Sequence, residues 1–94
     1  MTVKKIPREN QKILKPQNNG HIGAILVIGT MAEAGDVVKL ANEAVNKIHS
    51  MFGGKLISSK YVSPEESNDK KTAMYIVVAE FETETVRDVW ESSL

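Results

Sequence analysis

Residues 21–52, HIGAILVIGTMAEAGDVVKLANEAVNKIHSMF, change hydrophobic period partway along, and that change decides the fold. Ile22, Ala24, Ile25, Leu26, Val27 and Ile28 make an apolar run too short to span a bilayer. It is rich enough in β-branched side chains to favour a strand buried on both faces. The period then becomes helical. At roughly 100° per residue, Val37, Val38, Leu40, Ala41, Ala44, Val45, Ile48, Met51 and Phe52 fall on one side, and Lys39, Asn42, Glu43, Asn46, Lys47 and Ser50 on the other. Burying that face contributes on the order of 10 kcal/mol before ordering entropy offsets most of it, so the helix must lie on a sheet. Glu33 and Asp36 stand at its positive end, Lys47 stands near its negative end within reach of Glu43 four residues back, and Gly53-Gly54 supplies the stop.

Beyond the stop, Lys55 to Val62 is a weaker strand in which Leu56 and Val62 are expected to share a face with Ser58 and Lys60, a mixture that suits a sheet edge. Ser63 to Lys71, SPEESNDKK, has no apolar residue except its proline and reads as a long exposed loop. Ala73 to Ala79 is a second apolar run. Thr83 is placed to cap a final short helix with Val86, Val89 and Trp90 on one face. Ahead of the core, Val3 to Pro7 and Lys12 to Pro16 are two extended candidates, so residues 1–20 read either as a solvated arm or as a loose hairpin. Gln17 to Gly20 forms the turn into the core.

The expected class is therefore α+β, with a ferredoxin-like βαββα core over about 21–94 after an N-terminal arm or strand over 1–20. Right-handed crossovers place the two apolar strands at the centre of an antiparallel sheet, the Lys55–Val62 strand at an edge, and two helices on one face. One flank of the first core strand is left uncovered. Either the arm or a neighbouring subunit must close it.

Composition narrows the function. Twelve acidic residues balance twelve basic ones and aromatics make up 5%, which argues against a nucleic-acid surface. The basic residues Lys4, Lys5, Arg8, Lys12 and Lys15 gather near the start, with Glu9 the one acid among them. No cysteine is present, excluding disulfides, thiolate metal sites and cysteine nucleophiles, and a reducing, cytoplasmic setting is compatible. No signal peptide or membrane span is expected, since residues 1–20 lack an apolar core.

The run Gly23 to Ala32, a strand between two glycines entering an alanine-rich helix, resembles the opening of a bacterial microcompartment (BMC-domain) shell protein. Gly54 to Ser58 is similar to that family's second strand, and Tyr75 to Val78 followed by Glu84 to Val89 is similar to its third strand and second helix. The family's fourth strand is absent after that helix. In circularly permuted members it stands at the N-terminus, and Val3 to Leu14 resembles such a leader. The family's glycine-rich pore loop is replaced here by SPEESNDKK. The resemblance implies a structural subunit without catalytic activity or cofactor, forming a cyclic hexamer with other shell proteins as partners in a cytoplasmic microcompartment. Glu65, Glu66, Ser67, Asn68, Asp69 and Lys70 would line a pore for small metabolites, with Lys71 beside them.

A second family competes. Ile48 to Ile57, with Phe52-Gly53-Gly54-Lys55, together with Val78 to Phe81 and Trp90, resembles the dimeric α+β barrel superfamily, in which two sheets pack face to face across a dimer. That resemblance implies a small-molecule-binding protein or monooxygenase whose pocket, lined by Ile25, Val27, Ile76, Val78 and Trp90, lies between sheet and helices with His49 as its polar group.

Reactive constellations are sparse. His21 and His49 lack a matched carboxylate spacing and read as boundary residues. Glu80, Glu82 and Glu84 read as a solvated face, as do Glu65 and Glu66. Gly53-Gly54-Lys55 follows a helix where a phosphate loop would open one, and Trp90 reads as a core or interface anchor.

Overall fold

A computed structural model describes residues 1–6 and 20–93. Among them the strands are β1 (Thr2–Lys5), β2 (His21–Thr30), β3 (Lys55–Val62) and β4 (Thr72–Phe81). The helices are α1 (Ala34–Ser50), entered through a 3-10 turn at Met31–Glu33, and α2 (Glu84–Ser92). The strands form one antiparallel sheet in the order β1-β2-β4-β3. The two long apolar strands are central and pair along their whole length, from His21 opposite Phe81 to Thr30 opposite Thr72. β3 is an edge, as its mixed faces require.

The open flank of β2 is taken by the chain's own beginning. β1 runs antiparallel to it, Thr2 opposite Ile28 and Lys5 opposite Ile25, and the Ile6 N–H donates to the Ala24 carbonyl oxygen beyond the strand end. The second half of the expected hairpin, Lys12 to Pro16, lies outside the described residues.

Both helices pack on one face. Ile25, Val27, Val77, Ala79 and Phe81 meet Val37, Ala41, Ala44 and Ile48 of α1 and Trp90 of α2, all essentially buried. The helix face predicted from the period holds except at Met51, which lies one residue past the helix and is 66% exposed. The Lys47 ammonium turns to the Ser93 carbonyl oxygen (3.2 Å), tying the ends of the two helices together, and makes no ion pair with Glu43. Glu33 accepts the Thr30 N–H, a bond that lowers the pKa of its carboxyl, and thereby closes the entry to α1.

Two expectations are corrected. A bulge at Ile57 leaves Leu56 opposite Ala79 while Ser58 stands opposite Val78. The extra residue moves Leu56 onto the helix side, away from the face that Ser58, Lys60 and Val62 share. On α2, Val89 is 50% exposed, and the residues buried are Arg87, Trp90 and Glu91. The Thr83 cap is as expected, its hydroxyl oxygen accepting the Val86 N–H at 3.1 Å.

Candidate functional site

The loop expected to line a pore is folded on itself. Asp69 accepts hydrogen bonds from the Thr72 hydroxyl, the Lys71 and Thr72 N–H groups and the Ser67 hydroxyl. These donors, the Thr72 hydroxyl foremost, hold its carboxyl well below the usual carboxylate range. Ser67 is buried, its hydroxyl oxygen also 2.9 Å from the Pro64 carbonyl oxygen, an alternative acceptor for its one hydrogen, and Lys70 takes the left-handed backbone conformation that closes the turn. Glu65, Glu66, Asn68, Lys70 and Lys71 face solvent. The loop thus presents two acids and two cations outward and spends its third acid internally.

The histidines are apart. His49 is exposed on α1, and His21 lies half-buried at the start of β2. Among the described residues no group of three or more histidine or acidic side chains converges in a way that could hold a metal ion. No described helix is long and apolar enough to cross a membrane.

The residues expected to line one pocket between sheet and helices do not share a face. Ile25, Val27 and Trp90 are buried together on the helix side, the Trp90 and Phe81 ring centroids 5.1 Å apart and the rings tilted by 41°, whereas Val78 and Ile76 belong to the opposite face. The reason is the alternation of a strand: Ile25 and Val27 share a face with Val77, and Ile76 and Val78 point the other way.

Glu80 is buried at 6% exposure, correcting its placement on a solvated face, while Glu82 and Glu84 are exposed. Glu80 occupies the outer face at the end of β4, opposite both Ile22 and Lys55. Arg87 and Glu91, one turn apart on α2, are buried over Gly23, where an added Cβ would meet the Arg87 Cγ at 2.9 Å. Glu91 accepts the Ala24 N–H and faces Lys5 at 3.7 Å, and Arg87 bonds Glu84 and Asp88. This cluster fastens α2 to the sheet. Its charges are engaged with one another, which is what burial of charged groups demands.

The remaining feature is the outer face of the sheet. Its apolar cluster joins Ile22, Ala24 and Val78 with Ile6, Ile57 and Ile76, and contains no helix residue. Toward the other end of the same face, Leu26, Ile28, Met74 and Ile76 are only half-buried. The flanking edge strands bring Thr2 and Lys4 on one side and Lys60 and Val62 on the other. The apolar runs of the two central strands led to the expectation that both sides are covered; among the described residues no helix residue joins the apolar cluster on this side.

No protein-family model, curated protein or solved structure matches the chain.

Proposed function

We propose that this chain pairs with a second copy, sheet against sheet, in the manner of the dimeric α+β barrels, and acts as a small-molecule-binding protein without catalysis. The observation that carries this reading is the outer face. Four large apolar side chains, Leu26, Ile28, Met74 and Ile76, lie contiguous on the two central strands with no described helix over them. Contiguous apolar surface rimmed by polar residues marks an interaction surface, and antiparallel sheets stack on such faces. A chain of 94 residues also has reason to gain core from a partner.

Light scattering coupled to size exclusion tests the idea: a mass of two chains is expected, falling to one in Ile76→Lys with circular dichroism unchanged. A monomeric parent would sink it.

One observation favours a second reading, the circularly permuted microcompartment shell subunit. β1 lies beside β2, where a permuted leader belongs. In that architecture six copies form a ring, the 63–71 loop faces the six-fold axis, and the exposed Glu65, Glu66, Lys70 and Lys71 set the field through which metabolites pass. The same mass measurement separates the readings, because this one requires hexamers or extended sheets.

A further inference from the structure

We propose that the small molecule this chain takes up is a short-chain monocarboxylate, held in a cavity at one end of the sheet with its carboxylate on Lys71 and its alkyl body against Ile28. This rests on the small-molecule-binding part of the reading above, not on the pairing of sheets, and deepens it. The carrying observation is the cavity. It holds about 290 Å³, and its wall includes Thr2, Ile28, Thr30, Glu33, Lys71 and Thr72. Register brings these residues together from three strands. Thr2 of β1 stands opposite Ile28 of β2, and two residues further along β2 Thr30 stands opposite Thr72 of β4. Glu33 enters from the turn ahead of α1, and Lys71 stands just before β4.

The charges on the wall do not balance. Glu33 is engaged on both oxygens, one accepting the Thr30 N–H at 2.9 Å and the other facing the Met1 ammonium at 3.0 Å. The Asp69 carboxylate, outside the wall, accepts the Thr72 hydroxyl and the N–H groups of Lys71 and Thr72. The Lys71 ammonium makes no ion pair or hydrogen bond with a described residue, and the Thr2 hydroxyl makes no hydrogen bond with one. What the wall has to spare is one positive charge, and an anion answers it.

The rest of the wall limits the body of that anion. The Ile28 side chain has no donor or acceptor, so a polar group laid on it would lose its water without compensation. A second carboxylate would meet Glu33, whose charge already has its partner. A cavity of about 290 Å³ stands at the small end of ligand sites, which run roughly 300–1,000 Å³, and it admits a few carbon atoms without a long tail. One carboxylate on a short alkyl group meets all three limits.

The test uses the full chain with no residues added ahead of Met1. Amide NMR spectra are followed during titration with butyrate and with butyramide, its neutral counterpart, at constant ionic strength, and light scattering is measured on the same samples. Butyrate is expected to shift the amide resonances of Thr2, Ile28, Thr30, Lys71 and Thr72 saturably, at about fivefold lower concentration than butyramide, the ratio of one partly exposed charge contact. In Lys71→Gln, which retains the backbone N–H bonded to Asp69, acid and amide should bind equally with circular dichroism unchanged. Shifts that do not saturate, shifts centred elsewhere, equal binding of acid and amide by the parent, or a preference that survives Lys71→Gln each overturn the proposal. A mass of one chain with saturable binding at this cavity removes the sheet pairing and leaves the ligand proposal standing. A mass of two chains without such binding does the reverse.

Discussion

The indole N–H of Trp90 donates to the carbonyl oxygen of Ala44 at 3.1 Å, joining the short second helix to the middle of the first across 46 positions of sequence. With its ring against Phe81 and no exposed surface, Trp90 couples α2 to the core by both apolar contact and a directed bond. Trp90→Phe is expected to cost about 1–3 kcal/mol through the lost bond and volume, and Trp90→Ala about 3–5 kcal/mol, a large part of the stability of a small domain. Urea unfolding checks both. Equal stability of the parent and the Phe variant would contradict the coupling.

Two glycines are expected to respond in opposite directions to alanine. At Gly54 an added Cβ would lie 2.7 Å from two Phe81 ring carbons and 2.8 Å from the Glu80 carbonyl oxygen, so Gly54→Ala should destabilise by about 1–3 kcal/mol. At Gly35, in the first turn of α1, nothing lies within 4 Å, and Gly35→Ala should stabilise by about 0.5 kcal/mol through helix propensity and reduced freedom of the unfolded chain. Melting temperatures of the two variants, moving apart from the parent, are the readout.

Thr83→Ala removes the acceptor for the Val86 N–H and is expected to cost about 1 kcal/mol, with Thr83→Ser retaining most of the stability. Because α2 carries Trp90, the variant's hydrogen exchange should rise first in residues 84–92. Uniform change across the whole chain would show that the helix end does not open separately.

Asp69 gives the loop an acid sensitivity of known sign. Its folded carboxyl is held below the ordinary value by the Thr72, Lys71 and Ser67 donors, so on acidification the unfolded chain takes up the proton first. The stabilisation is therefore complete above the ordinary aspartate range near pH 4 and is lost as pH falls through the depressed folded value. The Asp69 carboxyl resonance should show no titration between pH 7 and pH 3. Asp69→Asn should lower the melting temperature at pH 7 and reduce its fall toward pH 2. A normal aspartate titration in the folded protein would remove this account.

The strands and helices were legible in the sequence because hydrophobic period is a local property. The apolar run that ends before Thr30, the stripe from Val37 to Ile48 and the Thr83 cap each follow from residues within a few positions of one another. Element order then restricted the central strands to two and left one flank open to the arm or a neighbour, and the structure places β1 there. What sequence did not reveal is which face of the central strands takes the helices, since both faces of β2 and β4 are apolar. A signal was present in side-chain size: Gly23, Gly29, Ala73 and Ala79 share the helix face, where small residues admit close approach, while Leu26, Ile28, Met74 and Ile76 share the other.

Sequence alone determined the α+β class, the order of the core strands and helices over 21–92, the absence of thiol chemistry and the edge position of β3. The tertiary structure decided the register that lines up Lys4 with Lys60, the bulge at Ile57, the burial of Glu80, Arg87 and Glu91, and the self-contained fold of the 63–71 loop. Those features join residues far apart in the chain. Their energies come from packing and pairing that no local pattern of residues encodes.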